Sequence, residues 1–296
     1  MTEQSGWRFT DDRGRLVTAG RQPSRVLAYI QAGATLWDYG VRPWGIFGSG
    51  HDGPEPDRAK TGTLPLDEVE YLGPGVGLDT GALLAGRPDL VVAVSYGAGQ
   101  VYGLDPETAK HLEEQVPVAV IDVGQGRTLA EVSERFAELA HALGAGELPA
   151  AEQELVAARE RLREIARSLP EAAARVVALS PADVDQAYVA RPRMWPELRV
   201  LTELGVDTVE PPEGAGVNWA TLPWAEAAAL GPRLLLTDIR AHAAPLTALA
   251  AQPAWTALID GGTRVVPWNP EPLCGPRAHA GFLRLVADAL EAVREP

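Results

Sequence analysis

The chain has 296 residues, 46% of them hydrophobic and 22% charged, with a formal net charge of −14. That length exceeds what one core comfortably fills, so two lobes are expected. The acidity tells against a partner with a phosphate backbone and against an anionic membrane surface, and no apolar run reaches the ~20 residues of a spanning helix. A single cysteine, Cys274, rules out an internal disulfide.

Residues 1–24 read as an irregular arm without a basic region leading into an apolar segment and without a lipoprotein cysteine. The expectation is therefore a cytoplasmic protein if the chain is complete, and an extracytoplasmic one if a leader has been removed. A strand is predicted over 25–30, a helix over 33–40 and a strand over 44–50 that opens into a loop rich in Gly, Pro and Asp, 48–63. Helix 79–86, strand 90–95, helix 105–114 and strand 117–122 follow. Asp105 and Pro106 form a good N-cap and first-turn pair, and Thr128 with Glu131 forms a capping box opening helix 128–144. Between Pro149 and Pro170, apolar residues recur at steps of three and four, from Ala151 to Leu169. About 20 residues make a rod of ~30 Å.

The alternation then resumes, with strands over 175–180, 186–190, 205–210, 233–238 and 264–268, helices filling the gaps, and a last helix over about 277–293. Alternating strands and helices in each half predict an α/β fold: two Rossmann-like lobes with mostly parallel sheets, bridged by one long rigid helix. The expected boundaries are 1–147 for the first lobe, 148–170 for the bridge and 171–296 for the second lobe.

Motifs for common chemistry fail on their residues. The run 48–53, GSGHDG, has no lysine for a phosphate loop, and 73–78, GPGVGL, lacks the third glycine of a dinucleotide fingerprint. Ser95 in AVSYG has Ala93 where a nucleophile elbow needs glycine. Cys274 has His279 five residues on, a spacing that a structural cysteine satisfies as well. His51, His111, His141, His242 and His279 do not pair at metal-ligand spacing. No catalytic residue, metal ligand or cofactor is expected.

What remains is aromatic and cationic. Eight tryptophans stand against four phenylalanines, and Trp and Tyr combine an apolar body with a hydrogen-bonding tip, which suits a ligand-gripping wall. In the first half the candidates are Tyr29, Phe47, Tyr96 and Tyr102, with His51 in the long loop. In the second they are Tyr188, Trp195, Trp219 and Trp268, with Asp238. Arg191 and Arg240 each follow a strand directly, where a guanidinium can fork onto a ligand oxygen or form a surface ion pair.

Five stretches together carry a family resemblance: RVLAYIQAGATLWDYGVRPWGIFG, RPDLVVAVSYG, YGLDPETAKHLEEQVPVAVID, the rod helix, and RLLLTDIRA through LTALAAQPAWTALIDGGTRVVPW. In this order, over nearly the whole chain, they resemble the helical-backbone (class III) solute-binding proteins of ABC transporters for iron–siderophores, haem and cobalamin, and are most like the actinobacterial siderophore binders. The resemblance implies two α/β lobes with a ligand held between strand-end loops, here around Ser95–Gly99 and Asp238–Arg240. It implies a small organic chelate, such as a ferric siderophore, gripped by its organic shell.

Two positions depart from that pattern. The family carries one glutamate per lobe to dock on its permease. The pattern places the first eight residues before Asp89, at Gly81, and the second at Ala225, beside Glu226. An ABC permease partner is therefore in question. The competing readings are a transporter component, a binder detached from transport that stores or sequesters a chelate, and an intracellular enzyme built on this fold acting on a siderophore-like metabolite. Asp238, Asp122, His51 and Tyr96 are the candidate acid–base groups of the last.

Overall fold

The computed structural model describes residues 6–124, 126–170 and 175–294. Residues 1–5 of the expected arm and 171–174, where the sequence places the start of the second lobe, lie outside the described residues. The chain forms two compact units. One takes the chain up to Pro149 together with Glu271–Gly275; the other takes Ala150–Pro270 and resumes at Pro276.

The first unit opens with a hairpin, β1 (Trp7–Thr10) and β2 (Leu16–Ala19), where the sequence predicts an irregular arm. The strands are too short to show a period. They form because Trp7 and Phe9 bury one face, and because the turn is tied to a neighbouring edge. Asp11 and Asp12 accept from the Val120 and Asp122 amides, and the Asp12 amide donates to the Val120 carbonyl. This covers backbone groups that an edge strand leaves open.

Then follow β3 (Val26–Tyr29), α1 (Ile30–Asp38), β4 (Gly45–Phe47), β5 (Glu70–Tyr71), α2 (Thr80–Leu84), β6 (Leu90–Ser95), α3 (Pro106–Glu113), β7 (Val118–Asp122) and α4 (Leu129–Ala142). Their five-stranded sheet runs β5-β4-β3-β6-β7, parallel throughout. β3, β4 and β6 are buried on both faces, which is why they read as continuous apolar runs. α1 starts at Ile30, directly from β3, and stops at Gly40, whose φ of 88° gives the left-handed turn that ends helices. Asp105 caps α3, and both halves of the Thr128–Glu131 capping box form on α4.

The second unit holds α5 (Pro149–Ser168), β8 (Arg175–Pro181), β9 (Gln186–Ala190), α6 (Pro196–Glu203), β10 (Asp207–Thr208), β11 (Trp219–Pro223), α7 (Trp224–Ala229), β12 (Leu234–Asp238), α8 (Pro253–Asp260), β13 (Arg264–Trp268) and α9 (Pro276–Arg294). Its sheet runs β11-β9-β8-β12-β13, with β10 beside β8. β8, β10, β12 and β13 are parallel; β9 pairs antiparallel with β8 and β11 antiparallel with β9, so β9 alone runs against the others. Of the predicted strand 205–210 only Asp207–Thr208 pairs. Pro267 sits in β13 without cost to the ladder because β13 is an edge. The long helix α5 buries Ala158, Leu162 and Ile165. It is tied to α9 by Arg161 with Asp288 at 2.7 Å and by Arg284 with Glu154 at 3.2 Å. Trp224 and Trp255 lie edge to face in the apolar core, with Val177, Val189 and Leu235.

Candidate functional site

Each unit gathers aromatic side chains where its strands end. In the first, β3 ends at Tyr29, β4 at Phe47 and β6 just before Tyr96. The Tyr29 ring lies 5.9 Å from Phe47 and 5.5 Å from Tyr102, and Tyr102 lies 4.7 Å from Tyr96, all edge to face. Such pairs add about 0.5–1.5 kcal/mol each beyond the area they bury. The loops behind them are glycine because backbones meet there. The Gly48 amide donates to the Gly73 carbonyl and the Gly75 amide to the Gly48 carbonyl, and a Cβ on Gly75 would stand 2.0 Å from the Gly103 oxygen.

A buried charge network underlies this wall. Lys60 is wholly inaccessible, and its Nζ lies 2.9 Å from Asp52 Oδ1 and 3.0 Å from Glu271 Oε1. The Tyr29 hydroxyl donates to Glu271 Oε2 at 2.5 Å. Burial, then the Glu271 charge, pushes the Tyr29 phenol well above its usual range. Burial works to raise Asp52, but the Ser49 amide and Lys60 outweigh it and hold that carboxyl below its usual range. The short segment carrying Glu271 is further fixed by Gln31, which donates to the Pro272 carbonyl, and by the Cys274 amide, which donates to Thr35 Oγ1.

In the second unit Trp195, Trp219 and Trp268 form a triangle with ring centroids 4.8, 5.6 and 5.8 Å apart. The Trp268 indole donates to Glu197 Oε1 at 3.2 Å, and the Trp195 indole to the Asn218 carbonyl. Burial pushes Glu197 up to about 7, although its own amide, Trp268, Arg199 and Arg240 all act to lower it. Asp238 ends β12 opposite Trp268 in register, and Arg240 bonds to it with Nη2 2.8 Å from Oδ2.

Of the candidates read from the sequence, the structure joins Tyr29, Phe47, Tyr96 and Tyr102 in one cluster. It joins Trp195, Trp219 and Trp268 in another, with Asp238 and Arg240 beside it. Three stand apart. His51 is exposed in the long loop, and Tyr188 is 43% exposed on β9. Arg191 is only 3% exposed and turns into the backbone, donating to the Pro212 and Gly216 carbonyls, with Glu210 at 3.7 Å. Lys60, Asp52, Glu271 and Glu197 were not anticipated. The available signal was that Lys60 is one of two lysines in a chain that otherwise uses arginine. Among the described residues no three His, Cys, Asp or Glu side chains gather as a metal site, and no helix is long and apolar enough to cross a membrane.

An α/β fold in two units, each with its own sheet, is what this chain shares with solved solute-binding proteins of the siderophore and haem type, in keeping with the sequence resemblance. Among solved structures the chain is similar to DesE, a ferric-siderophore receptor protein from Streptomyces coelicolor, at 28% identity and a TM-score of 0.85. The match covers 96% of this chain and 98% of that one. It also shares its fold with the siderophore periplasmic binding protein from the fuscachelin gene cluster of Thermobifida fusca, at 19% identity, TM-score 0.64 and coverage of 92% and 97%. The periplasmic haem-binding protein RhuT from Roseiflexus sp. RS-1 matches at 16% identity, TM-score 0.61 and coverage of 90% and 99%. No protein-family model matches the chain, and neither does any curated protein.

Proposed function

We propose that this protein is a solute-binding protein of the ABC-transporter siderophore type, holding a ferric siderophore or a similar metal-chelating metabolite against its aromatic strand-end clusters. The observation that carries the reading is the likeness to a ferric-siderophore receptor over 96% of the chain. Tyr96, Tyr102 and Trp219, the partly exposed rings of the two clusters, support it, because they offer apolar area to an organic shell and leave the metal to its chelator.

We also propose that the protein is weakly coupled to a permease, or detached from one. Gly81 on α2 and Ala225 on α7 are exposed, and neither supplies a docking charge. Glu226 is exposed on the first turn of α7 and is the nearest acid on that helix.

The test is an intrinsic tryptophan fluorescence titration with a ferric trihydroxamate, a ferric tricatecholate, haem and cobalamin. A ferric chelate is expected to quench saturably, and Trp219→Phe is expected to reduce the quench. No saturable response to any of the four ends the siderophore reading.

A further inference from the structure

The innermost ring of the tyrosine wall is out of a ligand's reach. Tyr29 is wholly buried, while Tyr96 and Tyr102 are half-buried. The outer rings nevertheless lean on it. Tyr29 lies 5.5 Å from Tyr102, which lies 4.7 Å from Tyr96. Its Cε2 also packs on Gly103, where an added Cβ would stand 3.4 Å away. Edge-to-face pairs hold only while each ring keeps its tilt. The Tyr102 backbone is fixed separately, its amide donating to the Val94 carbonyl at 2.9 Å. That leaves the tilt of its ring to the neighbouring rings.

A phenol held at its oxygen can turn about its long axis but cannot tilt. Tyr29 is held there by Glu271 Oε2 at 2.5 Å. Glu271 is itself held on its other oxygen, Oε1, by Lys60 Nζ at 3.0 Å. The same ammonium lies 2.9 Å from Asp52 Oδ1, and Asp52 Oδ2 accepts from the Ser49 amide at 2.6 Å and the Ser49 hydroxyl at 2.9 Å. One buried cation thus fixes both the carboxylate that aims Tyr29 and the loop that follows Phe47. The segment Glu271–Gly275 belongs to the same unit and is docked there by Gln31 and Thr35. Burial, then the Glu271 charge, keeps the Tyr29 phenol protonated and so a donor.

As a means of holding a fold together this is inefficient. Desolvating two carboxylates and an ammonium offsets much of their attraction, and apolar side chains of similar volume often give equal or greater stability. Apolar packing does not fix a direction at one oxygen, however. Directional bonds pre-organise a binding surface, which spares a ligand the cost of ordering it. Resting on the siderophore reading above, we infer that Lys60 and Glu271 are positioning residues: through the Tyr29 hydroxyl they set the tilt of Tyr102 and Tyr96, the rings that meet the ligand.

The full chain is tested in two ways. Calorimetric titration with a ferric trihydroxamate reads affinity. Fluorine NMR of the fluorotyrosine-labelled chain reads the rings without ligand, with Tyr96→Phe and Tyr102→Phe assigning their signals. Tyr29→Phe, which keeps the ring and removes its anchor, is expected to weaken binding about 10-fold. Glu271→Leu and Lys60→Met, which do not touch the outer rings, should weaken binding too and should shift or broaden the Tyr102 and Tyr96 signals. Glu271→Gln, which restores an acceptor, should recover most of the affinity and the wild-type signals. Unmoved Tyr102 and Tyr96 signals in Glu271→Leu and Lys60→Met overturn the inference. So does a loss in Glu271→Gln as large as in Glu271→Leu, or a set of losses that merely follows the unfolding midpoints, because the network is then structural only. If the unmodified protein binds no ferric chelate, the siderophore reading fails, and the fluorine signals alone uphold or overturn the positioning of the rings.

Discussion

The Trp268 indole donates to Glu197 Oε1 at 3.2 Å, and that carboxyl is buried beneath the tryptophan triangle. Burial lifts it from the ordinary 4.5 to about 7. Between those values the folded chain holds a proton that the unfolded chain releases. The contribution to stability is therefore full below pH 4.5 and is lost as pH rises toward 7. Its size is on the order of 3 kcal/mol. Urea unfolding followed from pH 4.5 to 8 should show this loss in the wild type. The difference between the wild type and Glu197→Gln should change over that window and be flat above it. A pH-independent difference would show that Glu197 stays ionised throughout.

Lys60 makes a second, stronger claim on stability. Removing one partner from a buried charge network leaves the others uncompensated, which costs about 3–5 kcal/mol. Lys60→Met removes the cation that Asp52 and Glu271 share, and is expected to lower stability by that amount. Glu271→Gln retains an acceptor for the Tyr29 hydroxyl and leaves Lys60 balanced against Asp52, so its cost should be smaller. The double variant should recover part of the loss of Lys60→Met, since it leaves one carboxylate fewer to bury. Chemical denaturation of the three variants measures this coupling, and strict additivity would mean that the network does not act as a unit.

Gly75 tests the close approach of the loops behind the tyrosine wall. A Cβ there meets the Gly103 oxygen at 2.0 Å and the Gly48 oxygen at 2.6 Å, both backbone atoms that no side-chain rotation can move. Gly75→Ala is expected to destabilise by about 2 kcal/mol or more, in the range of overpacked cores. Gly53→Ala, in the same unit but with open space around its Cβ, serves as the control and should lie within about 0.5 kcal/mol of wild type. Thermal unfolding of both settles the comparison.

The sequence discloses what is local and periodic. Leu90–Ser95 is buried at every position, and α4 carries both its capping box and its apolar stripe, so both could be read directly. Tyr29, Phe47, Tyr96 and Trp268 were legible for the same reason, since each lies at or just beyond the end of a readable strand. Pairing over distance was not legible. β1 and β2 depend on bonds to β7, and β10 is two residues long. Tyr29 and Glu271 are 242 residues apart, and only the fold brings the segment at Glu271 beside β3. Arg191 could be placed at a strand end but not paired, because Glu210 and the 211–216 carbonyls come from a loop without a pattern.

The permease question rests on two exposed helix positions. In proteins of this resemblance an acidic side chain at each would meet a cation on the permease. Here α2 presents Gly81 and α7 presents Ala225. The nearby Asp79 is already engaged as the cap of α2, accepting from the Ala82 amide at 2.8 Å. Charges at the rim of an interface chiefly set encounter rate and orientation, so the absence of both should leave docking weak. The unmodified protein, loaded with a ferric trihydroxamate, is expected to give no measurable stimulation of a siderophore permease's ATPase. Gly81→Glu with Ala225→Glu should raise association, and the gain should shrink with added salt as surface charge pairs do. Strong stimulation by the unmodified protein would mean that Glu226, exposed one residue further on, supplies the contact, and would make this chain a working transport component.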